Sequence, residues 1–437
     1  MKRERIGQEN VAEHRAGYLE RRVTGRRTPE KFINRKFMER MILETGKIGE
    51  TGKGTRYREA YSRSENAVFA KYKKVMEDLG LHTEIDSAGN LYGILKGKGN
   101  KIILTGSHLD GVRNGGLYDG VAGVVCSLEA ARVIKMHHKT RNDIMVVAWR
   151  AEESSRFGIP YIGSKAAFGV LGDEDLKRKD GRGYALSKAM KDYKAGTAYL
   201  KAESIKACLE LHAEQGRTLF EKKYSIGVVD SIAGNMRFSF ELTGQPDHTG
   251  GCIMEYRKDA MVYASKISLL VNGLPGRFMK NGFHMTATVP NIVNLDYNPT
   301  TVPHKIRVDV EIRCNRKTEL NEAYETLLED AKKAGEERKL GLEVKNMRYS
   351  EPIEFLNHEV MLKIRDACAA LDIRYCSLPS GAGHDTAVLT GVGVPSGMIF
   401  VPSVDGWAHH EKEHTESQDL VKGAEVLAET IMQMDSD

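Results

Sequence analysis

Residues 101–120 read KIILTGSHLDGVRNGGLYDG. A run of consecutive aliphatics, Ile102 to Leu104, leads at once into one histidine, two aspartates and five glycines. A short run that is apolar on successive positions suits a strand covered on both faces. A glycine-rich loop is expected after it. A loop that only connects has no need of His108, Asp110 and Asp119, whereas a metal site does.

The pattern recurs along the chain. DIMVVAW (143–149), ACLEL (207–211) and GMIFV (397–401) are further apolar runs of strand length. Amphipathic segments of helix length lie between them, such as GVAGVVCSLEAARVIKMHH (120–138). That alternation predicts an α/β domain with a mixed, mostly parallel sheet. In such sheets functional residues gather at the carboxyl ends of strands. His108 follows KIILT, Glu152 and Glu153 follow DIMVVAW in WRAEESSRFG, and His212 closes LELH. His409 follows GMIFV in VPSVDGWAHHEKEHT, and Asp119 stands where GGLYDG turns into a helix.

Imidazoles and carboxylates are ligands for zinc and manganese, and the same donors suit cobalt and nickel. One carboxylate can bridge two ions about 3.5–4 Å apart. Asp119 is the expected bridge between two divalent ions. His108 and His212 complete one ion, Glu153 and His409 the other, and Glu152 is left as general base. Neighbours on a strand point to opposite faces, so Glu152 and Glu153 can share a site only if the chain turns there.

From 234 to 350 the pattern changes. MRFSFELTG, FHMTATV, KIRVDVEIRC and LEVKNMRYS read as strands. RKDAMVYASKISLLVN and KTELNEAYETLLEDAKKAGEERK read as helices. The order β-α-β-β-α-β predicts a ferredoxin-like domain inserted in the α/β domain. The expected division is residues 1–233 and 349–437 for the catalytic domain, 234–348 for the insert, and 1–35 for an N-terminal extension. A chain of 437 residues is long enough for two such domains.

Net charge is +5. Residues 1–40 hold 12 Lys or Arg against 6 Asp or Glu, so the surplus is confined to that end. The segment lacks a recognisable binding module, and no nucleic-acid partner is expected. No run approaches about eighteen apolar residues, so no membrane partner is expected either. MKRERIGQENVAEHR lacks an apolar signal core, which gives a cytoplasmic expectation. The six cysteines form no CxxC pair and read as buried thiols.

Several longer stretches resemble one family. GSHLDGVRNGGLYDGVAGVV, WRAEESSRFG, GSKAAFG, LELHAEQG, GQPDHTGGCIMEYRKDA, SGAGHDT and VPSVDGWAHHEKEHT are similar to N-carbamoyl-L-amino-acid hydrolases, allantoate amidohydrolases and β-ureidopropionases. These belong to a clan of dinuclear-metal aminoacylases and carboxypeptidases. The resemblance runs in order from about residue 40 to the end, and is thin at 170–205. It implies two divalent cations, a lid that makes a homodimer, and a small ureido or amide substrate bearing a carboxylate, cleaved with release of ammonia.

The resemblance also implies roles for further residues. His248, in PDHTG, would hold the substrate or stabilise the oxyanion. Arg313 would grip the substrate carboxylate. Gln215 and His384 would line the cleft. There are departures: Thr300, in TTVP, stands where the family has Asn in a sequence like NVIP, with Asn298 nearby. Ala408 and Glu411 replace a usual Ser and Pro around His409. None removes a ligand, but Thr300 keeps an N-acyl amino-acid hydrolase or dipeptidase open as the alternative. A silent binding protein on this scaffold would have lost a ligand or the base, and all six residues are present.

Overall fold

The computed structural model describes residues 32–52, 55–278 and 283–436. Most of the expected N-terminal extension lies outside these residues. The chain forms two compact units. One holds the residues up to 228, then 357–377, and then 388 onward; the other holds 229–356 and 378–387.

The first unit begins with β1 (Glu50–Gly52), β2 (Thr55–Arg58), β3 (His82–Ile85) and β4 (Leu91–Leu95). It continues with β5 (Ile102–His108), β6 (Gly111–Gly115), β7 (Asp143–Trp149) and β8 (Ile205–Ala213). Along β9 (Ile226–Ile232) the chain passes into the second unit, which holds β10 (Gly234–Thr243), β11 (Met285–Asn294), β12 (Lys305–Cys314) and β13 (Gly341–Ser350). β14 (Tyr375–Ser380) and β15 (Ser396–Val401) complete the strands in chain order.

The large sheet has the order β14-β9-β15-β8-β5-β7-β4-β3. Its centre, β15, β8, β5 and β7, is parallel. β4 and β3 are added antiparallel at one side. This is the mixed α/β sheet that the apolar runs predict. β5 and β7 are buried at every position after the first, as strands covered on both faces must be. Helix Val121–His137 is buried on all sides over most of its length. It packs on β5 and β8 and beneath the helix Ser417–Ser436.

The stretch 106–120 is not the free loop that its glycines suggest. β5 runs on through His108, and residues 111–115 form β6, which pairs with β2. The buried Arg58 donates from Nε to the Leu109 carbonyl at 2.7 Å, so the backbone here is held from within. The glycines serve close approach instead. Gly120 has φ 64°, and a Cβ there would stand 2.6 Å from the His108 ring.

In the second unit, β10, helix Ala260–Phe278, β11, β12, helix Lys317–Glu336 and β13 come in that order along the chain. All strand pairs are antiparallel, in the order β11-β12-β10-β13. β12 shows why. Ile306, Val308, Val310, Ile312 and Cys314 are buried with residues of the two helices, while the intervening residues are not. Arg307, Asp309, Glu311 and Arg313 thus share the polar face. Of the six cysteines, none is in a disulfide, and four are buried. Among the described residues no helix is long and apolar enough to cross a membrane.

Candidate metal centre

His108 is the last residue of β5, and His212 lies one residue before the end of β8. Their rings stack with centroids 5.8 Å apart. Asp119 precedes the helix Val121–His137 and is met from both sides. Its Oδ1 lies 3.3 Å from His212 Nε2 and 3.7 Å from His108 Nε2. Its Oδ2 lies 3.1 Å from His409 Nε2, which is itself 3.4 Å from Glu153 Oε1. Two donor groups result, His108–Asp119–His212 and Asp119–Glu153–His409, each with its donor atoms within 4.8 Å of one another. They share Asp119, one oxygen toward each group. Glu152 Oε2 lies 3.9 Å from His108 Nε2.

Glu152 and Glu153 both reach the site because the chain turns sharply between them and β7. Ala151 takes a left-handed φ of 52°, unusual for a residue with a Cβ. Asp110 fixes the backbone of both glutamates. Its Oδ1 accepts from the Glu152 N–H at 3.1 Å and its Oδ2 from the Glu153 N–H at 3.0 Å. The same carboxylate lies 3.4 Å from His108 Nδ1. The turn is braced from behind by Glu65, fully buried, which accepts from the Ala151 N–H at 3.2 Å and pairs with Arg150 at 2.7 Å.

Second partners hold the other ligand candidates in place. His212 Nδ1 lies 2.9 Å from the Ala213 carbonyl, which leaves Nε2 as the nitrogen that faces Asp119. Glu413 Oε1 accepts from the Tyr118 and Asp119 N–H groups at 2.7 and 2.6 Å. Gln215 donates from Nε2 to Asp119 Oδ1 at 3.2 Å, and its own N–H donates to Ser403.

The charges are strongly coupled. Burial opposes ionisation of Asp119, but hydrogen bonds from His212 and His409 outweigh it and hold the carboxyl well below its ordinary range. Hydrogen bonds to Asp119 and Glu153 push His409 up to about 11. Burial works against a charge on His108, yet Glu152, Asp110 and Asp119 raise it well above its usual value. Burial pushes Glu153 up, against the opposing pull of His409, whose Nε2 lies 3.4 Å from Glu153 Oε1. Four carboxylates around three imidazoles therefore attract positive charge, from protons or from cations. The all-nitrogen and oxygen donor set and the shared Asp119 fit a pair of divalent cations.

The other expected residues belong to the second unit. His248 is exposed, and its Nδ1 accepts from the N–H groups of Gly250 and Gly251 at 3.1 and 3.0 Å. Thr300 is exposed and donates to Asn298 Oδ1 from both N–H and hydroxyl at 3.0 Å. Arg313 pairs with Glu311 at 2.8 Å and donates to the Gly381 carbonyl at 3.4 Å. His384 is buried, with Nε2 2.9 Å from Ser380 Oγ.

The sequence ties Asp110 to a metal site only as part of its loop, and gives no role to Glu413, Glu65 or Arg58. Asp110 carried a signal, since it stands two residues after a ligand candidate. Glu413, inside the charged run HHEKEH, reads as solvated, and nothing local marks Glu65 as buried.

Residues 104–433 match the model of peptidase family M20/M25/M40. An N-carbamoyl-L-amino acid amidohydrolase of Geobacillus stearothermophilus is 32% identical over 90% of this chain and 97% of its own. An allantoate amidohydrolase of Escherichia coli is 33% identical over 83% of this chain and 89% of its own. The crystal structure of a hydantoinase/carbamoylase family amidase from Burkholderia multivorans superposes with a TM-score of 0.83 at 28% identity, covering 93% of this chain and 98% of that one.

Proposed function

The chain belongs to peptidase family M20/M25/M40, and from that premise we propose that it is a metal-dependent amidohydrolase of small ureido substrates. It is a hydrolase of C–N bonds other than peptide bonds. The substrate class is N-carbamoyl amino acids or a related linear ureide such as allantoate, cleaved with release of ammonia. The observation that carries the site assignment is the shared Asp119, with one oxygen toward His108 and His212 and the other toward His409 beside Glu153.

In this reading His108, Asp119 and His212 hold one divalent cation, and Asp119, Glu153 and His409 hold a second, zinc or manganese being the first choices. Bound there, the pair would supply the Lewis acidity that activates water and polarises the scissile carbonyl. Glu152 takes the proton from the attacking water and delivers it to the leaving nitrogen. Asp110 keeps Glu152 in place through its backbone N–H. Gln215 steadies the bridging carboxylate. His248 donates to the oxyanion that forms, Arg313 receives the substrate carboxylate, and His384 and Thr300 shape the remaining wall. The roles of His248, Arg313 and His384 rest on the resemblance of their motifs, and that of Thr300 on its standing at the position of the family's Asn.

The proposal also takes residues 234–348 as lid and dimerisation domain of a cytoplasmic homodimer. Exposed Val262 and Leu269, seven residues apart on helix Ala260–Phe278, support an interface there. Light scattering after size exclusion decides it, with a monomer ruling it out. The functional test is ammonia release by metal-reconstituted protein from N-carbamoyl-L-amino acids, N-carbamoyl-β-alanine and allantoate, with Glu152→Gln as control. Cleavage of N-acetyl amino acids or dipeptides in their place would favour the second reading, which Thr300 keeps open.

A further inference from the structure

A cavity of about 830 Å³ lies within the first unit, and His409 is part of its wall. Arg113, Tyr57, His410 and Glu411 line it too. Arg113 is its fixed positive charge. The residue stands on β6, three positions after Asp110, and the pairing of β6 with β2 sets its backbone. Its guanidinium lies over the Tyr57 ring, 5.6 Å from the centroid, and Tyr57 is tied in turn to Glu59 at 2.9 Å. Among the described residues it has no carboxylate partner, and Glu411 on the same wall forms no ion pair with it. A guanidinium held against a ring with its donors uncommitted is arranged to accept a planar anion.

The substrates of the proposed reaction supply one. A ureido acid carries its scissile C–N bond at one end and a carboxylate at the other. With the ureido group at the metal centre, the remainder of the molecule extends into the space that His409 borders. We propose that Arg113 binds a second carboxylate there, one on the side chain of an acidic ureide, with the first left to Arg313, and so sets a preference for ureides with an acidic side chain. This inference rests on the amidohydrolase reading above. The experiment separates the side-chain carboxylate from the α-carboxylate assigned to Arg313.

The experiment measures binding by calorimetry to metal-reconstituted Glu152→Gln protein, with and without Arg113→Ala. The probes form two pairs: N-carbamoyl-L-alanine with its carboxamide, and N-carbamoyl-L-aspartate with N-carbamoyl-L-asparagine. Loss of a charge-assisted pair raises Kd roughly tenfold to a hundredfold. The expected result is that rise for N-carbamoyl-L-aspartate, with N-carbamoyl-L-asparagine, which keeps only the α-carboxylate, unmoved. A shift shared by N-carbamoyl-L-alanine, -aspartate and -asparagine but not by the carboxamide would place Arg113 at the α-carboxylate and overturn the side-chain assignment. Arg113→Lys should keep part of the affinity. Equal shifts on the aspartate and asparagine compounds, no shift, or no binding of any probe likewise overturns the inference. Absence of ammonia release by the wild type, with Arg113-dependent binding intact, would instead overturn the functional reading alone.

Discussion

The residues around Asp119 and those around His248 are held in opposite ways. Asp119, His108 and His212 are buried, the two histidines at strand ends and Asp119 before a helix, and each has a second partner behind it: Glu413, Asp110 and the Ala213 carbonyl. His248 and Thr300 are exposed, and their side-chain hydrogen bonds stay within their own turns, to Gly250, Gly251 and Asn298. A site that must stabilise charge benefits from donors fixed before substrate arrives. A group that meets substrate only in the closed enzyme gains nothing from rigidity in the open one. Changes in the first set should therefore alter metal binding, stability and chemistry together. Changes in the second should alter chemistry alone.

The largest effect tests the first half of that contrast. Chelation should reduce activity to background, and zinc or manganese should restore it, with metal content changing in step. Asp119→Asn should do the same without recovery, since both donor groups lose their shared ligand. Full activity in verified metal-free protein would end the dinuclear reading. Glu152→Gln comes next. It should lower kcat by about 10²–10⁴ with metal content unchanged. A mere twofold loss would remove Glu152 as the base.

Asp110→Asn and His248→Ala then set the two regions against each other. Asp110→Asn removes the charge beside His108 and weakens the acceptor for the Glu152 and Glu153 N–H groups. It should cost about 10–100-fold in metal affinity or activity, and it should lower Tm. His248→Ala removes an exposed ring, and should lower kcat with Tm unmoved and metal content intact. If His248→Ala lowers Tm as much as Asp110→Asn does, the distinction between braced and free residues fails.

The same contrast explains which residues were legible in the sequence. The strand-end residues were, because apolar runs mark buried strands, and a polar residue directly after one has few reasons to be there. Ala151 shows where that reading stops: nothing in WRAEES announces a left-handed turn, yet that turn lets two adjacent glutamates face one site. GVRNG reads as a loop from its glycines, but pairing with β2 makes it a strand. Glu65 and Glu413 were invisible for a different reason. Each is buried by contacts far along the chain, Glu65 with Arg150 and Glu413 with Tyr118 and Asp119. A local pattern cannot carry such distant pairings.

Glu413 gives the smallest and most specific prediction. Burial, with the charge of Asp119, pushes its folded-state value up to about 7 from an ordinary 4.5. The folded chain thus keeps this proton to higher pH than the unfolded chain does. Between these values the folded state binds more protons, so its stability falls as pH rises, and the loss is complete above about pH 7. The shift corresponds to about 3 kcal/mol. Glu413→Gln keeps an acceptor for the Tyr118 and Asp119 N–H groups but cannot ionise. Metal-free Glu413→Gln protein should therefore be more stable than wild type at pH 8 and no better at pH 4.5, as read by urea unfolding. An unchanged pH slope would show that Glu413 is ionised at no such cost. With metal bound, the cations offset the Asp119 charge that opposes ionisation of Glu413. The gap between the two proteins at pH 8 should then shrink, which ties this glutamate to the centre through its charge as well as through its hydrogen bonds.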